Sequence, residues 1–229
     1  MYKDLQAVIL AGGRGKRLGS LGDKIPKAMV DINGVPFIEL LINQLKSNNI
    51  KNFLILTGYR KKIIQKHFEN KKNIKIYKGR INWKTLTRLI KAKKYIKNNF
   101  LLMYCDNYVL DYDLKKQIEL QKKTKSNLVL SIVKKKNQQK GTIIKKKLKV
   151  YYKKGASTSL TEAGYILVKK KFFFNNVSKF NKKRDLSDYL GYLSNIYDFT
   201  GVNYKNNYLC IENMNLLKKT RNYFKNINK

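Results

Sequence analysis

Residues 8–34 read VILAGGRGKRLGSLGDKIPKAMVDING. An apolar run ends abruptly in Gly12, Gly13 and Gly15, interleaved with Arg14, Lys16 and Arg17. Continuous apolar residues predict a buried strand over 5–10, and glycines directly after it predict a loop whose backbone N–H groups can close around anionic oxygens. Arginine can bond two such oxygens at once. The loop lacks the terminal Gly-Lys-Ser/Thr of a P-loop, and it lacks the third glycine of a dinucleotide fingerprint, where Leu18 stands.

The pattern repeats outward. Apolar runs at 53–57, 74–77, 100–104 and 128–133 predict further strands, and helical spacing predicts helices over 36–48, up to Phe68, over 85–97 and over 114–123. Asn33-Gly34 marks a turn, and Pro36 occupies a first helical position. Strands alternating with helices, with the strands apolar throughout, predict an α/β fold. Its sheet is Rossmann-like, mixed and mostly parallel, with helices on both faces. Beyond residue 140 short strands near 143–144, 150–152, 165–168 and 208–211, with helices near 185–195 and 213–226, predict a small C-terminal β-rich extension that lengthens the sheet and forms a lid. No repeat or proline-rich linker divides the chain, so one domain is expected over 1–229.

The 229 residues are 43% hydrophobic, which is globular composition, and no apolar segment reaches membrane-spanning length. Neither a signal peptide nor membrane insertion is expected. Cys105 and Cys210 lie far apart without metal-ligand spacing, which fits a reducing, cytoplasmic compartment; His67 is read as a helix-face residue. The net charge is +37, spread along lysine runs such as Lys134-Lys135-Lys136, Lys145-Lys146-Lys147 and Lys169-Lys170-Lys171. It carries no nucleic-acid-binding signature, so it reads as compositional bias with no specific nucleic-acid partner.

The N-terminal segment resembles the sugar-1-phosphate nucleotidyltransferases, in which a G-G-x-G-x-R-L loop is followed by a Pro-Lys pair and an I-x-G-x-P segment. Gly12, Gly13, Gly15, Arg17, Leu18, Pro26, Lys27, Gly34 and Pro36 fall in register. The resemblance implies transfer of a nucleotidyl group from a nucleoside triphosphate to a sugar 1-phosphate with release of pyrophosphate. It implies nucleotide binding by Leu10, Ala11, Gly12, Gly13, Gly15 and Thr85, and catalytic roles for Arg17, Lys27 and Asp106. Asp106, which ends the run FLLMYCDNY, would hold Mg²⁺. EAGYILV resembles the sugar-pocket segment and carries over Glu162 and Gly164; the lysine that meets the sugar phosphate would be Lys154, with Lys153 equally in register. On this reading residues 1–135 form a nucleotide-binding half and 136–229 a sugar-binding half, and a homo-oligomer is left open.

Three departures stand out. Lys16 replaces the usual threonine. The segment that resembles L-G-T-G-G-A reads Trp83-Lys84-Thr85-Leu86-Thr87-Arg88, with both glycines after Thr85 gone; Trp83 is read as packing. Cys210, read as a core thiol, falls where many members carry a second metal aspartate, so that Glu212, water or the nucleotide phosphates would complete the site. Length and the helix-rich end resemble the guanylyltransferases that act on heptose or mannose 1-phosphate for lipopolysaccharide or capsule synthesis. A uridylyl-, cytidylyl- or thymidylyltransferase of a hexose 1-phosphate is the direct alternative. A non-enzymatic polyanion binder on a decayed transferase scaffold is the alternative from another class.

Overall fold

The computed structural model describes residues 4–134, 141–146, 149–180, 185–205 and 208–227. The expected boundary at 135/136, and Lys135, Lys136 and Lys147 of the lysine runs, lie outside them. The strands are β1 (Gln6–Ala11), β2 (Asp31–Ile32), β3 (Val35–Pro36), β4 (Asn52–Thr57), β5 (Ile74–Tyr77), β6 (Asn99–Tyr104), β7 (Asn107–Val109), β8 (Leu128–Lys134), β9 (Gly141–Lys146), β10 (Lys149–Ala156), β11 (Leu160–Lys169), β12 (Thr200–Asn203) and β13 (Tyr208–Cys210). The helices are α1 (Ser20–Lys24), α2 (Phe37–Ser47), α3 (Lys61–Phe68), α4 (Thr85–Ala92), α5 (Leu114–Thr124), α6 (Lys170–Asn175), α7 (Leu186–Ile196) and α8 (Met214–Ile227).

The apolar runs are continuous because successive strand residues feed two different cores. Ala7, Ile9 and Ala11 of β1, Phe53 and Ile55 of β4, and Leu101 and Met103 of β6 pack under α2, α3 and α5. Their neighbours Val8 and Leu10, Leu54 and Leu56, and Phe100 and Leu102 pack against α4, α6 and α7 on the other face. Each fully buried Leu, Ile or Phe side chain stabilises the fold by roughly 1.5–3 kcal/mol, so a one-residue slip of register is prohibited on both sides.

Seven strands form the main sheet in the order β12-β8-β11-β6-β1-β4-β5. β1 pairs in parallel with β4 and β6, β4 with β5, and β12 with β8. β11 alone runs against the rest, antiparallel to both β6 and β8. The mixed, mostly parallel sheet with helices on both faces is therefore as expected. The C-terminal half lengthens the sheet by β12 at the edge, while β11 enters at the centre. A bulge interrupts β11 between Glu162 and Ile166. Gly164 lies in it at φ +87, where a Cβ would approach Tyr104 Cδ2 to 2.9 Å.

Local differences from the sequence reading have local causes. Asn33 (φ 54) and Gly34 (φ 91) form a two-residue hairpin turn joining β2 and β3, so Pro36 is drawn into β3 and α2 begins at Phe37. The helix expected over 85–97 ends at Ala92 and tightens into a 3₁₀ turn over Lys93–Tyr95. Strand β12 was not expected, because Gly201 in a four-residue segment reads as loop.

A buried amide ties α5 to the sheet. Gln117 Nε2 donates to the carbonyls of Val129 (3.1 Å) and Tyr165 (3.1 Å), and its oxygen accepts from Tyr112 Oη (2.8 Å). Gln117→Leu keeps the volume but leaves all three partners unsatisfied. It should lower unfolding free energy by about 1–3 kcal/mol in urea titrations; a change below a few tenths would show that the amide is not the tie.

Candidate active site

A cleft of about 650 Å³ opens at the carboxyl ends of β1 and β6, where ligands of open parallel sheets bind. One wall is the glycine loop, from Gly12 to Arg17. Gly15 adopts a left-handed conformation (φ 70), which lets Leu18 N bond back to the Gly15 carbonyl at 2.9 Å, and buried Leu18 anchors the turn. Helix α1 presses its Gly22 against that same carbonyl, where no Cβ would fit. Leu10 and the loop glycines line the cleft, while Ala11 is turned into the core beneath it.

Beside the loop, where the Lys27 side chain abuts Gly15, Lys27 Nζ lies 2.8 Å from Asp106 Oδ2, and both side chains line the cleft. The sequence-expected pair is thus brought together from positions 79 residues apart. Burial beside Asp106 pushes the Cys105 thiol up to about 12, so it stays protonated. The departure at Cys210 resolves in backbone pairing: β13 runs antiparallel to β7, with Cys210 opposite Asn107, and Ile211 N donates to the Asp106 carbonyl at 3.0 Å. Cys210 is buried in that ribbon, and Glu212, two residues on, lines the cleft, ion-paired with Arg17. Arg14, also at the mouth, pairs with Asp23 at 3.2 Å.

The floor holds an arginine whose role the sequence did not reveal. Arg88 is 4% exposed. Its Nη1 donates to the Thr57 carbonyl (2.6 Å), and its Nη2 to those of Ile81 (3.3 Å) and Gly12 (3.5 Å). A Cβ at Gly12, Gly58 or Gly79 would collide with this guanidinium. Burial lowers its pKa from the ordinary arginine value. The two glycines missing after Thr85 are therefore matched by three glycines on other segments that admit Arg88.

Thr85 opens α4 at the cleft edge, but its hydroxyl is engaged by α7: Leu186 N donates to Thr85 Oγ1 (3.1 Å), which donates to Asp185 Oδ1 (3.4 Å). Asp185 lines the cleft and caps α7 through Ser187 N (3.2 Å); an Asp before a periodic apolar run was the available signal. Trp83 packs on Tyr77, their rings 6.4 Å apart and near-parallel, and also lines the cleft. His67 sits on α3 beside Glu39, outside the cleft.

None of the expected sugar-side residues lines the cleft. Glu162 and Gly164 lie within the β11 bulge, where the Glu162 carboxyl accepts from its own strand's Gly164 N. Burial pushes the Glu162 carboxyl up to about 8, the nearby Asp106 charge adds, and the Gly164 and Tyr165 amides oppose. Lys154 and Lys153 are both exposed on β10, and neither lines the cleft.

With this geometry in place the comparisons have a clear meaning. Residues 6–150 match the family described as nucleotidyl transferase, and the chain belongs to that family. Among individual proteins it is similar to the bifunctional protein GlmU of Methanococcus aeolicus, 34% identical over 110 residues, covering 48% of this chain and 26% of that protein. It is also similar to the D-glycero-alpha-D-manno-heptose 1-phosphate guanylyltransferase of Campylobacter jejuni, 39% identical over 66 residues, 29% of this chain and 30% of that one. The chain thus matches less than a third of either curated relative. The solved structure of HddC from Yersinia pseudotuberculosis superposes with a TM-score of 0.76 at 25% identity, over 96% of this chain and 99% of that one.

Glu162 gives the site a measurable pH signature. The unfolded chain ionises this carboxyl near 4.5, whereas the folded protein holds its proton to about 8. Its contribution to stability is therefore fully present below about 4.5 and is lost as pH rises through about 8. The urea midpoint should fall between pH 5 and pH 8.5, and Glu162→Gln should flatten that fall. An equally steep fall in the variant would assign the pH dependence elsewhere.

Proposed function

We propose that this protein transfers a nucleotidyl group from a nucleoside triphosphate to a sugar 1-phosphate, giving a nucleoside diphosphate sugar and pyrophosphate. The observation that carries the reading is the Lys27–Asp106 pair set beside a glycine loop in one cleft. A sugar-phosphate oxygen attacks the α-phosphorus, a new P–O bond forms, and the bond to the β-phosphate oxygen breaks as pyrophosphate leaves. The phosphate dianion is already nucleophilic, so the site must supply alignment and positive charge. Lys27 meets the reacting phosphates, Arg17 and the loop amides hold the departing pyrophosphate, and buried Arg88 lends charge from below. Glu162, neutral at pH 7, offers the sugar hydroxyls a donor as well as an acceptor. Lys154, or Lys153, exposed on β10, is the residue assigned to the sugar phosphate.

The donor chemistry also suits Mg²⁺. Asp106 and Glu212 present hard oxygen ligands to the same cleft, and Mg²⁺ commonly takes one or two carboxylates together with substrate phosphates. Among the described residues no three acidic, histidine or cysteine side chains converge, which fits a metal that arrives with nucleotide. When bound there it would neutralise phosphate oxygens. Residues 1–135 serve the nucleotide and 136–229 the sugar. Among substrates we favour GTP with heptose or mannose 1-phosphate, for cell-envelope polysaccharide synthesis in the cytoplasm. Support comes from HddC, which aligns over nearly its whole length and was crystallised with GMP-PN. Relatives named as glucose-1-phosphate uridylyl- and cytidylyltransferases keep UTP and CTP as the alternative donors.

Pyrophosphate release, screened over five nucleoside triphosphates against a panel of sugar 1-phosphates, tests the assignment; release with no pair would remove it. Lys27→Ala should lower turnover by about a hundredfold or more, whereas Lys171→Ala should stay near wild type. Comparable losses would mean that diffuse charge, not this cleft, drives the reaction. For the metal, Glu212→Gln should raise the Mg²⁺ concentration needed for half-maximal rate, and Cys210→Ser should leave it unmoved. The reverse order would return the ligand to position 210.

A further inference from the structure

Among the described residues, one carboxylate of the cleft faces no cation. Asp106, Asp185 and Glu212 line it. Asp106 faces Lys27 and Glu212 faces Arg17, but Asp185 is held by hydrogen bonds alone. In a chain of 51 lysines and arginines against 14 acids, an open carboxylate in a basic cleft is conspicuous. It repels phosphate, so its partner is an uncharged part of a substrate.

The two oxygens of Asp185 are used unequally. Oδ1 accepts from Thr85 Oγ1 (3.4 Å), Ser187 N (3.2 Å) and Ser187 Oγ (3.2 Å). These donors, from the starts of α4 and α7, fix how the carboxylate is turned. Among the described residues none donates to Oδ2. A helix cap needs one oxygen, so capping α7 accounts for Oδ1 and leaves Oδ2 for a ligand of the cleft.

A second, independent feature lies two to four residues before Thr85. Ile81 is 62% exposed, the most exposed large apolar side chain among the described residues, and it lines the cleft together with Trp83. Both are held in place: Arg88 Nη2 donates to the Ile81 carbonyl at 3.3 Å, and the Trp83 ring lies near-parallel to that of Tyr77. Aliphatic and aromatic surface beside a fixed acceptor fits a flat heterocycle that carries N–H donors.

Resting on the transferase reading above, we propose that Asp185 selects the nucleobase. Its Oδ2 accepts a hydrogen bond from the amino group of guanine or cytosine, while Ile81 and Trp83 flank the ring. Uracil and thymine present a carbonyl where cytosine has its amino group, and the carboxylate repels it. The donor is thereby GTP or CTP, and UTP and dTTP are disfavoured.

Trp83 is the single tryptophan of the chain, so its fluorescence reads binding without turnover. Titrations with the Mg²⁺ complexes of GTP, ITP, CTP and UTP form two pairs, each of equal ring size and differing at the amino position. In the tighter pair the amino member should bind about tenfold more tightly, the worth of one hydrogen bond to a charged group. Asp185→Asn keeps the cap, since asparagine caps as well as aspartate, but sets an NH₂ group where Oδ2 stood; it should abolish or invert that preference. Ile81→Ser should weaken both members of the pair by a similar factor, and melting curves would verify that each variant is folded. A preference unchanged by Asp185→Asn, or wild-type binding by Ile81→Ser, would overturn the proposal and leave the transferase reading standing. So would an unchanged preference with a raised KM for the sugar 1-phosphate, which would make a sugar hydroxyl the partner of Asp185. Binding of none of the four would remove the transferase reading itself, and the selection with it.

Discussion

The floor of the cleft depends on a guanidinium that faces no carboxylate. Arg88 is held by carbonyls at the ends of β1 and β4 and in the segment before α4. Burying an unpaired charge costs several kcal/mol, and neutral carbonyls offset that only through short, charge-assisted hydrogen bonds. Three glycines withhold their side chains so that those bonds can form. The same contacts fix the glycine loop relative to β4 and to the Ile81–Thr85 edge, so the width of the cleft is set by one side chain. Among the described residues no carboxylate pairs with it, so these carbonyls carry its compensation.

Around that floor three further cations each face a carboxylate. Lys27 faces Asp106, Arg17 faces Glu212, and Arg14 faces Asp23. On the proposed function, phosphates would compete with carboxylates for each of these cations, and a divalent ion arriving with the nucleotide would relieve that competition by taking the carboxylates.

Much of this was legible in the sequence. Runs such as 53–56 and 100–103 are apolar at every position because both faces of the sheet are covered, which specifies strands under helices but not their direction, since the equally buried β11 runs antiparallel. The loop announced itself by glycine spacing, and the Pro26-Lys27 pair by its resemblance to the sugar-1-phosphate nucleotidyltransferases. What stayed hidden depends on contacts distant along the chain. Nothing near Arg88 tells that its partners are carbonyls at 12, 57 and 81. The exchange of Cys210 for Glu212 as the cleft-facing group follows from the β7–β13 pairing, whose register no local pattern encodes. Glu162 looked like a strand-start carboxylate facing solvent or sugar, and only the bulge at Gly164 shows it folded onto its own backbone.

The central position of β11 also sets an order of assembly. β1, β4, β5 and β6 can pair among themselves as soon as the first hundred or so residues have left the ribosome, but β6 then ends that sheet with an open edge of unbroken apolar sequence. Its neighbour is encoded 60 residues later, opposite Leu101↔Leu167 and Leu102↔Ile166, and β8 waits for the same partner. Until β11 slides between them, two unprotected edges coexist in one nascent chain, the arrangement that invites strand addition from a neighbouring molecule. The dense lysine flanking β8 to β11 gives that unfinished intermediate a strong like charge, and mutual repulsion between such chains keeps their edges apart while the last strand is made.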